Sequence, residues 1–470
     1  RPAAAAGRTW TAGQAAAIRA ALAQRLAVIT GGPGSGKTAV IGGIVRAWRA
    51  LGLPPEAIAV AAPTGKAANR AAEALAADGA DVPPPSTLHR LLGYSPRRGV
   101  GGSDLRHHPN NPLPHAAVVV DEASMVDLAL LDHLLRALRA DARLVLVGDA
   151  GQLPAIAAGS VFRDLGPLAI RLTESHRMSP TSVAGSEILG VARAIATGEN
   201  PHVAPASDAG ALRFTGFELL DPGEGGASRR AVGAFVDRWY AEQMRLAADL
   251  DPRRPLLLAG DGRLDRESAT RAAAVLERHR RARLLTVTRV GRAGAERINE
   301  DLARRAALDL GAPLAAADAL PPGTPIMVIE NDYDRALMNG DQGVVLPLQD
   351  AAARVAAFAV FARDGGFALF PLATLRGLVQ PAYAITVHKA QGSETDHAAL
   401  LLPDADTALL SRELIYTAAT RARASMVVVG RPALLAQAIA RPLGRMSGLA
   451  ERLAARDVFA AEPSAESRRR

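Results

Sequence analysis

In the first third of the chain, short apolar runs that end in polar or glycine-rich turns alternate with helical patterns. Residues 26–30, 58–62, 117–120 and 144–147 are continuously apolar over four or five positions, the pattern of parallel strands buried on both faces. Residues 38–51 and 65–77 carry a helical period between or after them. This βα alternation predicts a parallel sheet covered by helices on both sides. A second set of runs, at 256–259, 284–288, 383–387, 398–402 and 426–429, predicts a second α/β domain. Inside it, from 322 to 379, lie β-like runs at 326–329, 343–346, 355–361 and 367–370. Turn signals at Asn339-Gly340-Asp341 and Asp364-Gly365-Gly366 separate them, which predicts a small inserted β module.

The expected boundaries follow. One domain covers 1–168, with a Gly-, Pro-, Arg-, His- and Asn-rich loop or hairpin at 93–114. The second covers 169–321 and 380–460, the β module covers 322–379, and 461–470 is a frayed tail. The chain opens Arg-Pro-Ala-Ala without Met or a signal-peptide core, so we expect it to be cut from a longer one.

Composition narrows the classes. At 470 residues, 49% hydrophobic and 22% charged, the chain has the balance of a globular protein of two or three domains. No apolar run reaches the ~20 residues that span a bilayer, so no membrane partner is expected. The absence of cysteine removes disulfides and thiolate chemistry, and fits a reducing cytoplasm. A net charge of +8 fits a nucleic-acid partner, or a proteome rich in arginine. Of the 55 basic residues the three lysines are Lys37, Lys66 and Lys389, and all three fall in the motifs below.

Gly31-Gly32-Pro33-Gly34-Ser35-Gly36-Lys37-Thr38 fits G-x-x-x-x-G-K-[ST] between an expected strand and an expected helix. Backbone N–H groups of such a loop curl round phosphates at a helix N-terminus, with Lys37 on the β and γ phosphates and the Thr38 hydroxyl on Mg²⁺. The apolar run ending in Asp121-Glu122 supplies the complement: Asp121 to hold Mg²⁺, Glu122 to orient or deprotonate the attacking water. ATP and Mg²⁺ are therefore the expected cofactors. This much defines an NTPase, and many functions share it.

The remaining motifs come in a fixed order. They are Gln14, Ala62-Pro63-Thr64-Gly65-Lys66, Thr87-Leu88-His89-Arg90, Gly148-Asp149-Ala150-Gly151-Gln152 and Ser175-His176-Arg177. Thr386-Val387-His388-Lys389-Ala390-Gln391-Gly392-Ser393-Glu394 and Tyr416-Thr417-Ala418-Ala419-Thr420-Arg421 close the series. It resembles superfamily 1 helicases of the 5′→3′ branch, most of all the RecD family, the alpha subunits of exonuclease V (RecBCD). The resemblance covers nearly the whole chain and is weakest at 179–251. It implies two RecA-like domains with an SH3-like insertion, and a pin at 93–114 that helps split a duplex. It assigns Gln14 to the adenine, Gly392 to the nucleotide, Gln152 to sensing the γ-phosphate, and Arg177 and Arg421 to arginine fingers from the second domain. It places DNA contacts at Pro63, Thr64, Lys66, Thr87 and His89, and at Thr386, His388 and Lys389. Single-stranded DNA, duplex ends and RecB- and RecC-like subunits are the implied partners.

Two departures stand out. Thr395 occupies a position where the family usually has an aromatic residue, and Ala390 one where Ser is common; the resemblance implies softer coupling between DNA grip and ATP site, with no catalytic group removed. Two other readings fit part of the pattern. A P-loop ATPase acting on proteins or as a switch needs neither the second domain nor the arginines, and its turnover would ignore single-stranded DNA. A non-catalytic scaffold would not keep Lys37, Asp121, Glu122 and Arg421.

Overall fold

The structure, a computed structural model, describes residues 9–94, 105–157, 159–174, 183–246, 250–311, 320–350, 352–363, 365–444 and 448–455. The chain forms two compact units, Arg1–Arg177 with Gly444–Arg470, and Met178–Leu443. No helix among the described residues is long and apolar enough to cross a membrane.

In the first unit six described strands form a parallel sheet in the order Ser86–Thr87, Ile58–Ala62, Ala117–Val120, Arg143–Gly148, Leu26–Gly31, Ala169–Leu172. Alternate residues of each strand point to opposite faces, so each strand feeds two cores. Ala27, Ile29, Val60, Val119, Val145 and Val147 meet Ile18, Ile41, Ile44 and Trp48 of helices Ala12–Ala23 and Lys37–Ala50. Val28, Ala61, Val118, Val120, Leu144 and Leu146 meet Leu130, Leu131 and Leu134 of helix Leu128–Ala137 on the other face.

In the second unit a six-stranded parallel sheet runs Ala384–Thr386, Ala282–Thr286, Thr395–Leu401, Ala422–Val429, Gly216–Leu220, Pro205–Ala206. Its core joins Leu284, Ala399, Leu401 and Val427 to Phe235 and Trp239 of helix Gly225–Trp239 and to Ile298 and Leu302 of helix Ala295–Asp309. An antiparallel module follows, in the order Gly366–Pro371, Val355–Arg363, Gln342–Gln349, Pro325–Val328, Val379–Pro381. The two parallel sheets with helices agree with the fold class expected from the sequence.

The structure corrects the sequence reading at three places. Leu256–Leu257 is not a strand of the parallel sheet; it pairs with Gln342–Gln349 and extends the module. Strand Ala169–Leu172, expected to open the second domain, pairs with Leu26–Gly31 in the first sheet. The described helix Leu449–Ala455, expected in the second domain, packs Leu449 and Leu453 on the first unit's core.

Polar side chains tie the parallel sheet, its helices and the module together. Asn299 exchanges two hydrogen bonds with the Ala384 backbone, at 2.8 and 2.9 Å. Buried Arg283 donates to the Ala382 carbonyl and to Gln342 Oε1. Buried His279 donates from Nε2 to the Gly323 carbonyl at 2.8 Å, and burial lowers its pKa to about 4. The folded chain thus keeps this imidazole neutral, while the unfolded chain takes up a proton below pH ~6.5. Its contribution is fully present above that value and is lost as pH falls through about 4. By the linkage relation the loss amounts to about 3 kcal/mol. We expect His279→Gln to lose less stability than the parent between pH 7 and 4 in urea titrations; equal losses would clear His279 of the effect.

Candidate nucleotide site and nucleic-acid face

Parallel pairing brings the carboxyl ends of the first sheet's strands to one edge, where open α/β sheets hold ligands. The registers Thr30↔Gly148, Val120↔Leu146, Ala61↔Val120 and Ala62↔Thr87 fix the sequence of loops along it. The glycine-rich loop lies next to the Asp149–Gln152 loop, then come Asp121-Glu122, then Pro63-Thr64, then Thr87. The candidate phosphate residues and the candidate DNA residues of this unit therefore share one edge in two neighbouring groups.

The loop Gly31–Gly36 leads directly into helix Lys37–Ala50, so Lys37 and Thr38 are the helix's first two residues. Gly31 and Ser35 are buried, while Gly32, Pro33, Gly34 and Gly36 are half-buried. Lys37 Nζ donates to the Gly31 and Gly32 carbonyls at 2.7 and 3.0 Å, and Ser35 Oγ donates to Gly32 O at 2.9 Å. The loop thus holds its own ammonium through two of its carbonyls.

Gln14 is buried beneath this loop. Thr11 and Gln14 form a reciprocal cap on helix Ala12–Ala23, and Gln14 Nε2 donates to Ser35 O at 3.2 Å. The carboxamide assigned to adenine by resemblance here buttresses the cradle. Gly36 caps the helix at φ +79°, and a Cβ there would stand 2.5 Å from Gln14 Nε2. Gly36→Ala should therefore strain the backbone and dislodge Gln14, at a cost of about 1–3 kcal/mol. Thermal melts with and without ATP should show a lower midpoint and a smaller nucleotide-induced rise. A variant that melts like the parent would show that the close packing of Gly36 against Gln14 contributes nothing.

Asp121 and Glu122 end the strand Ala117–Val120. The Glu122 N–H donates to Asp121 Oδ1 at 2.8 Å, and Glu122 sits at φ +51°, a left-handed conformation unusual for its type. Burial first, then the neighbouring Glu122, pushes Asp121 up to about 6, against the Glu122 N–H, Lys37 and Arg70. Lys37 of the cradle thus acts electrostatically on Asp121 across the edge. Arg70, one turn beyond Lys66 on helix Gly65–Ala77, acts the same way. It was not singled out in the sequence, where one arginine among 52 carries no signal. Glu122 Oε2 is buried with no hydrogen-bond partner among the described residues. Gln152 is 6% exposed, and its Nε2 donates to Asp149 Oδ2 at 3.1 Å.

Thr64 caps helix Gly65–Ala77 by accepting from Ala67 N, and Thr87 caps the turn Leu88–Leu91 by accepting from Arg90 N. Pro63, Thr64, Lys66 and Thr87 are half-buried and His89 is exposed. Tyr94, also missed in the sequence, sets its ring edge against His89 with centroids 5.6 Å apart. Gly93 accepts from Arg106 N, and Leu92 accepts from His107 N. These bonds close the neck of the expected 93–114 pin, of which 95–104 lie outside the described residues.

In the second unit Thr386 ends strand Ala384–Thr386 and His388 and Lys389 follow it, with Thr386 Oγ1 accepting from Lys389 N. Burial, then Arg289, holds Lys389 below the ordinary ammonium range, with Glu296 opposing. Buried Gly392 and half-buried Ser393 precede strand Thr395–Leu401 at its amino end. Arg421, 5% exposed, stands beside them: Nε donates to Thr417 O and Nη1 to Ser393 O, each at 3.0 Å, and Nη2 to Thr420 Oγ1 at 3.2 Å. One short segment, 386–394, therefore joins the candidate DNA residues at one sheet edge to the Arg421 cluster at the other. Thr395, the departure from the family pattern, is buried and donates to Arg280 O at 2.9 Å. Arg177 lies outside the described residues.

A P-loop beside an acidic strand end, on the first of two parallel α/β sheets, defines a P-loop ATPase of the two-sheet motor class. Sequence comparison narrows it. Residues 9–216 match the AAA domain model, and 381–429 match the UvrD-like helicase C-terminal domain. The RecBCD enzyme subunit RecD of Mycolicibacterium smegmatis is 38% identical over 461 residues, covering 94% of this chain and 74% of that protein. The subunit of the same name from Mycobacterium tuberculosis is 38% identical over 469 residues, covering 94% and 72%. The ATP-dependent RecD2 DNA helicase of Deinococcus radiodurans is 32% identical over 445 residues, covering 94% and 52%. The chain belongs to the RecD family, and its activity is that of an ATP-dependent DNA helicase.

Proposed function

We propose that the chain is a 5′→3′ DNA translocase and helicase of the RecD type, working with RecB- and RecC-like subunits in a helicase–nuclease that processes double-strand breaks. The observation that carries this reading is the order of loops along the first sheet's carboxyl edge, which sets the glycine-rich loop, the acidic turn and the caps Thr64 and Thr87 side by side. Lys37 binds the β and γ phosphates, Glu122 orients the attacking water, and Gln152 senses the γ-phosphate. Arg421 and Arg177 complete the charge around the transferring group during the cycle, because planar guanidinium groups match its equatorial oxygens. Thr38 and Asp121 are the residues to hold Mg²⁺. The crowded pair Asp121 and Glu122, one pushed up to about 6 and the other with an unpartnered buried oxygen, suits a cation. Bound there, the ion would neutralise phosphate charge.

Pro63, Thr64, Lys66, Thr87 and His89 on one unit, and Thr386, His388 and Lys389 on the other, grip the sugar–phosphate backbone without reading sequence. The antiparallel module is read as the SH3-like insertion of the family, and the 93–114 loop as its pin. The mycobacterial RecBCD subunits, 38% identical and covered to 74% and 72% of their length against 32% and 52% for the RecD2 helicase, favour the complex over a stand-alone enzyme. The deciding experiment is unwinding of duplexes with a single 5′ or a single 3′ overhang, with and without candidate partner subunits. Unwinding from 3′ overhangs would overturn the polarity, and full processivity without partners would favour the stand-alone form.

A further inference from the structure

The short turn after Asp121-Glu122, residues Ala123–Met125, carries a polar group that the nucleotide site does not account for. Ser124 is 6% exposed, and its Oγ is enclosed without a hydrogen-bond partner among the described residues. It lines a cavity of about 10 Å³ together with Asp149 and Gln152, which are 4% and 6% exposed. The backbone places the two segments against each other: a Cβ on Gly148 would stand 3.0 Å from Ser124 N. In the same cavity the Asp149 carboxylate takes Gln152 Nε2 on Oδ2 and Gly151 N on Oδ1, at 3.1 and 3.0 Å.

The Gln152 amide nitrogen is engaged within its own loop while it donates to Asp149. If it lets go, a buried carboxylate loses a donor, and such losses are costly unless another donor takes the place. The unpartnered hydroxyl in that cavity is a donor of the right kind. We propose that Ser124 is a positioning residue that exchanges with Gln152 on Asp149: when Gln152 turns toward the nucleotide, the Ser124 hydroxyl donates to the carboxylate in its stead. The exchange ties the acidic turn to the sensing loop, so that Gln152 leaves its resting place as the turn moves. It rests on the reading of Gln152 as the γ-phosphate sensor.

Three chains test it, Ser124→Ala, Gln152→Ala and the double variant, by ATP turnover with saturating single-stranded DNA and by thermal melting. The Ser124→Ala chain should melt at or above the parental temperature, because an unsatisfied buried hydroxyl has gone. Its kcat should fall about tenfold with KM for ATP within about twofold, as expected when an interaction made after binding is lost. The Gln152→Ala chain should also be slow, and adding Ser124→Ala to it should slow it no further. Parental kcat in Ser124→Ala, alongside a slow Gln152→Ala, would overturn the exchange and leave the sensor reading standing. Additive losses in the double variant, or a clear drop in melting temperature for Ser124→Ala, would also overturn it. Parental kcat in Gln152→Ala would instead remove the sensor reading itself.

Discussion

Lys37→Ala should bind single-stranded DNA with close to parental affinity and hydrolyse ATP at least about a hundredfold more slowly, the scale on which loss of one preorganised charge-stabilising donor is felt. The ammonium has two tasks at one place. It closes the glycine loop onto itself through the Gly31 and Gly32 carbonyls, and its charge opposes the upward shift of Asp121. Removing it should loosen the loop and, on the proposed assignment, leave the transferring phosphate without its cation. The caps proposed to face DNA are built differently, with Thr64 and Thr87 held by backbone N–H groups of their own turns. Nothing in those caps passes through Lys37. Radiolabelled ATP hydrolysis and fluorescence anisotropy of a labelled oligonucleotide separate the two effects. A variant that hydrolyses normally would refute the phosphate assignment, and one that loses DNA binding in parallel would show the two groups of residues to be inseparable.

The parts of the fold that were legible in the sequence are those where a local signal and the tertiary packing agree. Strands Ile58–Ala62 and Ala117–Val120 are apolar at every position because both faces are covered, and their expected and observed limits coincide. Helix Gly65–Ala77 also matches, with Thr64 capping its start. Other elements carry no such signal. Ala169–Leu172 contains an exposed arginine and is half-buried at the sheet's edge, while Ser86–Thr87 and Pro205–Ala206 are too short for any period. Leu256 and Leu257 look like a core strand in sequence, but their partner lies ninety residues on, and only pairing with Leu348 and Gln349 decides their sheet. The site divides in the same way. Glycine spacing exposes the cradle directly. The left-handed backbone of Glu122, the amide of Gln14 turned to Ser35 and the charge of Arg70 on Asp121 depend on groups brought together by the sheet.

The second large effect is expected at Arg421, the residue proposed to stabilise the transferring phosphate. Its guanidinium is held by two carbonyls and a hydroxyl of its own unit, so its orientation is set before any nucleotide arrives. Preorganised charge of this kind costs no rearrangement at the transition state, and arginines that serve phosphoryl transfer contribute about 10³–10⁵ in rate. Arg421→Ala should bind ATP within a few-fold of the parent and turn it over at least about a thousandfold more slowly. Because Nη1 also donates to Ser393 O, the same change frees the end of the 386–394 segment that begins at the candidate DNA residues. Residual turnover should therefore lose its dependence on single-stranded DNA. Arg421→Lys keeps the charge but cannot reproduce the fork that spans Thr417, Ser393 and Thr420, and it should resemble alanine in DNA stimulation more than in ATP affinity. Measuring kcat with and without oligonucleotide for the three chains, below the melting temperature of each, separates a catalytic arginine from a structural one. If turnover stays within tenfold of the parent while the melting temperature falls, Arg421 is a strut of the second unit, and the charge at the transferring phosphate comes from another group.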